Sequence, residues 1–219
     1  MYSYVIFDLD GTLLNTIDDL ADTGNHVCKL HGWPAHSVEE YKHMVGNGIP
    51  KLVERFAPAG TDQATLDQAF GEFMDWYGIH KEDKTAPYPG MNEAALRLKE
   101  AGVSIAVLSN KADEMAGPVV EHYYPGVFPF IQGAVDGLPV KPAPTLLHRL
   151  MERMGADPAG TLFVGDSDVD IRTAKNGGLT SCGVLWGFRS RQELEREGAD
   201  YLAGTPAELE RIILEEGAG

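Results

Sequence analysis

Asp8 and Asp10 stand two residues apart at the end of the first apolar run, Tyr4-Val-Ile-Phe7, and Gly11-Thr12 follows them. Side chains two apart on an extended strand point the same way, so both carboxylates can face one reacting centre. One of such a pair can attack as a nucleophile while the other moves protons. Gly11 lets the backbone come close to a phosphate-sized group. Ser109-Asn110 ends a second apolar run, Val103 to Leu108, and Lys141 lies in the proline-rich loop Val140-Lys-Pro-Ala-Pro144. Gly165-Asp166-Ser-Asp-Val-Asp170 closes a further apolar run that begins at Thr161. A hydroxyl, an amide and a lysine suit the oxygens of an anion. Carboxylates this dense repel one another unless a hard cation lies among them, and all-oxygen ligation suits Mg²⁺.

Each segment also has a plainer use. Asp-Gly is a common turn signal, Ser109, Asn110, Ser167 and Asp168 can cap helices, and most loop lysines are simply solvated. The chemistry therefore depends on a scaffold that brings these distant segments to one edge. After residue 88, strand-like and helix-like stretches alternate. Strands are expected at 103–108, 128–135, 161–165, 182–186 and 200–202, with helices at 92–101, 112–122, 144–154, 169–176, 190–197 and from 205. With a first strand over 4–10, that alternation implies an α/β fold: a doubly wound, Rossmann-like parallel sheet with helices on both faces. Sites in such sheets lie beyond the carboxyl ends of the strands.

Residues 15–84 read instead as helices alone. The expected organisation is a core domain of residues 1–14 and 85–219, with 15–84 an inserted all-α helical cap hinged near 13–16 and 84–89. Ser37 with Glu40 and Ser190 with Glu193 match capping boxes, and Thr16 with Asp19 matches one loosely. Asp62 opens a long helix ending near Tyr77-Gly78, and Thr205-Pro206 with Glu208 opens the last one. Trp33, Trp76 and Tyr77 are expected to fill the helical core.

The composition excludes several classes. The 219 residues carry a net charge of −15, which argues against nucleic acid or an anionic membrane as partner. No apolar run nears the roughly 20 residues that span a bilayer, and the first residues lack the pattern of a signal peptide. Cys28 and Cys182 fit no metal-binding spacing and are expected as free thiols in a cytoplasmic protein. Neither G-x-G-x-x-G nor G-x-x-x-x-G-K-[ST] occurs, so a nucleotide-binding module is disfavoured.

Taken in order, DLDGT (8–12), SN (109–110), KP (141–142) and GDSDVD (165–170) resemble the motifs of the haloacid dehalogenase superfamily of aspartate-nucleophile phosphatases. Pro87-Tyr-Pro-Gly90 and Gly183-Val-Leu-Trp-Gly187 add a likeness to its phosphoglycolate phosphatase-like branch, which has a helical cap between the first and second motifs. The resemblance implies that Asp8 attacks phosphorus, and that Asp10 protonates the leaving oxygen and then activates water. It implies Mg²⁺ held by the Asp8 carboxylate, the Asp10 carbonyl and Asp166, with Asp170 assisting. Gly11, Thr12, Ser109, the amide of Asn110 and Lys141 would hold the phosphoryl group. An aspartate at position 10 disfavours the dehalogenating and phosphonate-cleaving members. Asn15 stands where relatives often have Asp, and Val140 where Arg is frequent.

The cap implied by the resemblance closes over a small substrate. Gly46-Asn47-Gly48 is the expected specificity loop, with Lys51 and Arg55 following and Lys51 placed to meet a leaving-group carboxylate. The expected activity is Mg²⁺-dependent hydrolysis of a small phosphorylated metabolite resembling phosphoglycolate, by a monomer or homodimer. A sugar phosphomutase and a pyrophosphate hydrolase would share the same core residues, and a catalytically inactive metabolite-binding protein is the alternative from a different class.

Overall fold

Val5, Ile6 and Phe7 are wholly enclosed. A strand apolar on both faces needs cover on both sides, as in a parallel sheet between two helical layers. A computed structural model describes residues 1–216 and shows that arrangement. The chain divides into two compact units, one of Met1–Leu14 with the residues from Pro87 onward, the other of Asn15–Ala86. In chain order β1 (Tyr4–Phe7) and β2 (Leu14–Asn15) lead to α1 (Ile17–His31), α2 (Val38–Met44), α3 (Ile49–Phe56) and α4 (Gln63–His80). Next come β3 (Ala86–Pro87), α5 (Met91–Glu100), β4 (Ser104–Ala112), α6 (Asp113–Tyr123), β5 (Phe130–Ala134) and α7 (Thr145–Met154). The chain continues through β6 (Thr161–Gly165), α8 (Asp168–Gly177), β7 (Thr180–Val184), α9 (Arg191–Arg196), β8 (Tyr201–Ala203) and α10 (Pro206–Glu215).

The core unit is the doubly wound α/β fold. Its strands run parallel in the order β5-β4-β1-β6-β7-β8. Val5, Phe7, Val107 and Val164 pack on one face with Met91, Leu98, Val120 and Ile213. Ile6, Ala106, Leu108 and Phe163 pack on the other with Leu147 and Leu150 of α7. Phe7 lies opposite Val107 on one side and Val164 on the other, so the chain segments that follow these three residues emerge together.

Several strand boundaries differ from expectation, with β5 at 130–134, β7 at 180–184 and β8 at 201–203, and two further differences bear on the site. β1 stops at Phe7, so Asp8 to Asp10 belong to the loop. β4 runs on past Leu108 to Ala112, with its register against β5 shifted. Leu108 pairs with Gln132 and Ala112 with Ala134, so β4 carries two extra residues there, a bulge beside the site.

In the helical unit, Ser37 and Glu40 form the expected reciprocal cap, and Asp62 accepts from the amide of Thr65 at 3.1 Å. Thr16 and Asp19 do not. Thr16 makes no side-chain cap bond. The buried Asp19 carboxylate instead accepts from the amides of Lys84 (3.0 Å) and Thr85 (2.8 Å) and from Thr85 Oγ1 (2.7 Å). Aspartate is one methylene shorter than the glutamate that closes a capping box, and the amides of residues 84 and 85 claim it. α4 continues to His80, beyond the expected stop at Gly78. Tyr77 is buried, whereas Trp33 and Trp76 are only half-buried, and Trp76 stacks with His26 (ring centroids 3.6 Å apart) and His80 (4.2 Å). Cys28 and Cys182 are both free. Among the described residues no helix is long and apolar enough to cross a membrane.

Candidate active site

The loop after β1 folds back upon itself. The amides of Leu13 and Leu14 donate to the Leu9 carbonyl at 3.0 Å each, and that of Gly11 donates to Leu14 O at 2.8 Å. Trp186 Nε1 donates to Thr12 O at 3.0 Å and Tyr124 Oη to Leu13 O at 2.9 Å, so elements from elsewhere in the core unit fasten the loop. Asp8 prolongs the pairing of β1 through its amide, which donates to Val164 O at 2.8 Å.

Asp8 Oδ1 accepts from the Leu9 amide at 2.6 Å and lies 2.8 Å from Lys141 Nζ. The same ammonium lies 2.7 Å from Asp170 Oδ1, and Lys141 is 3% exposed. The other oxygen of Asp170 accepts from the amide (3.1 Å) and hydroxyl (2.6 Å) of Ser167. Asp166 accepts from Thr12 Oγ1 at 3.1 Å and from the Phe188 amide at 2.7 Å. Asn110 joins two motifs: its Nδ2 donates to Lys141 O at 3.0 Å and its Oδ1 accepts from Lys141 N at 2.9 Å. The Asn110 side chain, on β4, thus sets where the lysine begins.

Close approach of these acids requires glycine. A Cβ on Gly11, whose φ is +92°, would lie 2.4 Å from Asp166 Oδ2, and one on Gly187 would lie 2.2 Å from Asp166 Cβ.

Asp8, Asp166 and Asp170 each offer an oxygen within 4.8 Å of the others, and all three are buried. Burial and the charge of Asp170 push Asp8 well above the ordinary carboxylate range, and Lys141 offsets only part of this. Burial and Asp170 likewise raise Asp166 to about 7. Burial alone would lower Lys141, but Asp170 and Asp8 hold it above its usual value. Lys141 pairs with only two of the three enclosed carboxylates and Arg189 offsets only part of the burial of Asp166, which leaves the site short of positive charge. An all-oxygen donor set of this size fits a small, hard divalent cation.

The raised value of Asp166 sets the sign of a pH effect. In metal-free protein the folded state binds this proton more tightly than the unfolded chain, whose carboxyl titrates near about 4. Its contribution is therefore present below that point and is lost as pH rises toward about 7. In EDTA the denaturation midpoint of the wild type should fall over this window relative to Asp166→Asn, and Mg²⁺ should abolish the difference. Parallel pH profiles for the two proteins in EDTA would contradict it.

Residues 5–184 match the haloacid dehalogenase-like hydrolase family. The chain belongs to that family. It lies on the phosphoglycolate phosphatase-like branch, which makes it a phosphoric monoester hydrolase. A phosphoglycolate phosphatase of Pseudomonas putida is 36% identical over 200 residues, covering 88% of this chain and 73% of the relative. One of Agrobacterium fabrum is 31% identical and covers 95% and 93%. A crystal structure from Lactobacillus delbrueckii subsp. bulgaricus, provisionally assigned as a phosphoglycolate phosphatase, superposes with a TM-score of 0.92 at 31% identity, covering 98% of this chain and 99% of that one.

In this hydrolase Lys141 joins Asp8 to Asp170, Asp166 brings a carboxylate oxygen within 4.8 Å of both acids, and Asn110 is joined to the group through Lys141. Ser109 Oγ accepts from the Lys111 amide at 3.1 Å. Gly11 and Thr12 stand differently from the phosphate-binding role expected of them. Thr12 is wholly enclosed with its hydroxyl on Asp166, and the Gly11 amide is used within the turn, so both support Asp166 and the loop.

The sequence reading missed Lys111, whose Nζ lies 3.2 Å from Asp10 Oδ1. Strand alternation two residues beyond Ser109 is the signal that would have found it. It also missed the Phe188 amide, which no side-chain pattern marks.

Gly46, Asn47, Gly48 and Lys51 lie in the helical unit, between α2 and α3 and on α3. Arg55 fastens that loop by donating to Asn47 Oδ1 at 2.7 Å and to the Met44 carbonyl. Lys51 is ion-paired with Glu54 one turn on.

Proposed function

We propose that this hydrolase uses Mg²⁺ to hydrolyse a small phosphomonoester bearing a carboxylate, phosphoglycolate or a near analogue, with the phosphoryl group carried transiently on Asp8. The observation that carries the reading is the single ammonium of Lys141 shared by Asp8 and Asp170, with Asp166 beside them. The two relatives named phosphoglycolate phosphatase support the substrate class. Free thiols at both cysteines agree with a cytoplasmic setting.

Asp8, the Asp10 carbonyl and Asp166 would hold the ion, with Asp170 assisting. Bound there, Mg²⁺ supplies positive charge against the transferring oxygens. The remaining work falls to the chain. A carboxylate oxygen of Asp8 bonds to phosphorus as the ester P–O bond breaks, and Asp10 hands its proton to the departing oxygen. In the second step Asp10 takes a proton from water as the water oxygen bonds to phosphorus. The bond from phosphorus to Asp8 then breaks, which returns the carboxylate and releases orthophosphate. Ser109, the Asn110 amide and Lys141 hold the phosphoryl oxygens. Gly46, Asn47, Gly48 and Lys51 are assigned to the leaving group, and the exposed pairing of Lys51 with Glu54 is weak enough to be exchanged for a substrate carboxylate.

Phosphate release from a panel of phosphorylated metabolites tests this. Carboxylate-bearing monoesters should show the highest kcat/KM, and activity should vanish in EDTA and return with Mg²⁺. Little phosphate release without a phosphorylated sugar activator would indicate a mutase instead. A preference for inorganic pyrophosphate would overturn the substrate class.

A further inference from the structure

Lys111 is 7% exposed, and its side chain only 4%. An ammonium so enclosed is costly unless it is paired. Its Nζ lies 3.2 Å from Asp10 Oδ1, an oxygen itself shut off from solvent, so the 15% exposure of the Asp10 side chain does not come from that atom. Lys111 occupies the bulge of β4, where the register against β5 shifts. That bulge is tightly held. Asp113 Oδ1 accepts from the Gly133 amide at 2.7 Å, and a Cβ on Gly133 would lie 2.5 Å from Asp113 Cα and 2.7 Å from Lys111 O. The Lys111 amide in turn donates to Ser109 Oγ.

We propose that Lys111 is a positioning residue for Asp10: it draws one carboxylate oxygen inward and leaves the other end of the group to carry the proton. This rests on the reading of Asp10 as the acid and base of the reaction. The two acids at the end of β1 would then each have a lysine, Lys141 from a loop for the nucleophile and Lys111 from β4 for the proton carrier.

Lys111→Met should lower kcat for an alkyl phosphate by about 10- to 100-fold, a part of what acid–base catalysis supplies, with KM changed by less than about threefold. The loss should be smaller for p-nitrophenyl phosphate, whose leaving group needs no proton. In an Asp10→Asn background the same change should cost no more than about twofold, because both variants act on one function. That comparison remains readable if Lys111→Met alone folds poorly, since the double variant leaves no unpaired buried charge. A rise in KM at unchanged kcat would assign Lys111 to substrate contact and overturn the proposal. So would an undiminished loss in the Asp10→Asn background.

Denaturation midpoints give a readout free of turnover: Lys111→Met should be less stable than the double variant, and additive shifts would show that no pair exists. Failure of the wild type to release phosphate from any monoester would strike the acid–base reading alone, because this stability cycle still reports on the pair.

Discussion

Asp8→Asn is expected to lower kcat by on the order of 10⁴ or more, the scale seen when a nucleophile is removed, without lowering the stability of the metal-free protein. The carboxamide cannot form the acyl-phosphate bond, while its oxygen can still accept from the Leu9 amide and Lys141. Removing one charge also relieves the repulsion from Asp170 and Asp166 that raises Asp8. Activity and stability should therefore move in opposite directions, as they do where a site stores unfavourable charge. Steady-state phosphate release and thermal denaturation in EDTA measure the two effects. Retention of a tenth of the activity would contradict covalent catalysis, and a lower midpoint would contradict the charge balance.

Lys141→Met is expected to be the most damaging single change to the core unit. The substitution keeps the apolar stem near the Phe163 ring but strips the counter-charge from two buried carboxylates. Breaking a buried pair by removing one partner costs about 3–5 kcal/mol. For a chain of this size that is a fall in midpoint of roughly 10 °C. Turnover should fall by about 10³ or more, since both nucleophile placement and phosphoryl binding are lost. Added Mg²⁺ should restore part of the midpoint by binding the folded state, but none of the lost rate. Lys141→Arg should not restore activity, because the enclosed site leaves no room for the wider guanidinium. A midpoint within about 2 °C of wild type, a shift worth under about 1 kcal/mol in a chain of this size, would show that Asp8 and Asp170 are not held by this lysine.

The sequence made the sheet legible because buried parallel strands announce themselves as short β-branched runs, as at Val103 to Leu108 and Thr161 to Val164. Their order in space put Asp8, Ser109 and Asp166 at one edge before any side chain was placed. Caps with a serine and a glutamate three apart, at Ser37 and Ser190, were also readable. What resisted was whatever depends on neighbours far along the chain. Thr12 bonds to Asp166, 154 residues away, and Asp19 to the amides of residues 84 and 85. The resemblance gave Thr12 to phosphate, and local spacing gave Asp19 to Thr16. Lys111 escaped because the second motif ends at Asn110 and its partner, Asp10, lies a hundred residues away in the chain.

The carboxylate of Asp19 gathers residues 84 and 85 beside the first helix of the seventy-two-residue segment Asn15–Ala86. A segment whose beginning and end are already tied together asks little of whatever hosts it, because its closure entropy is settled internally. Such a segment is a cassette. It can be lengthened, trimmed or exchanged for one of another shape without stretching the sheet edge that holds Asp8. With the roles proposed above, reaction type and substrate choice could then drift on separate evolutionary clocks.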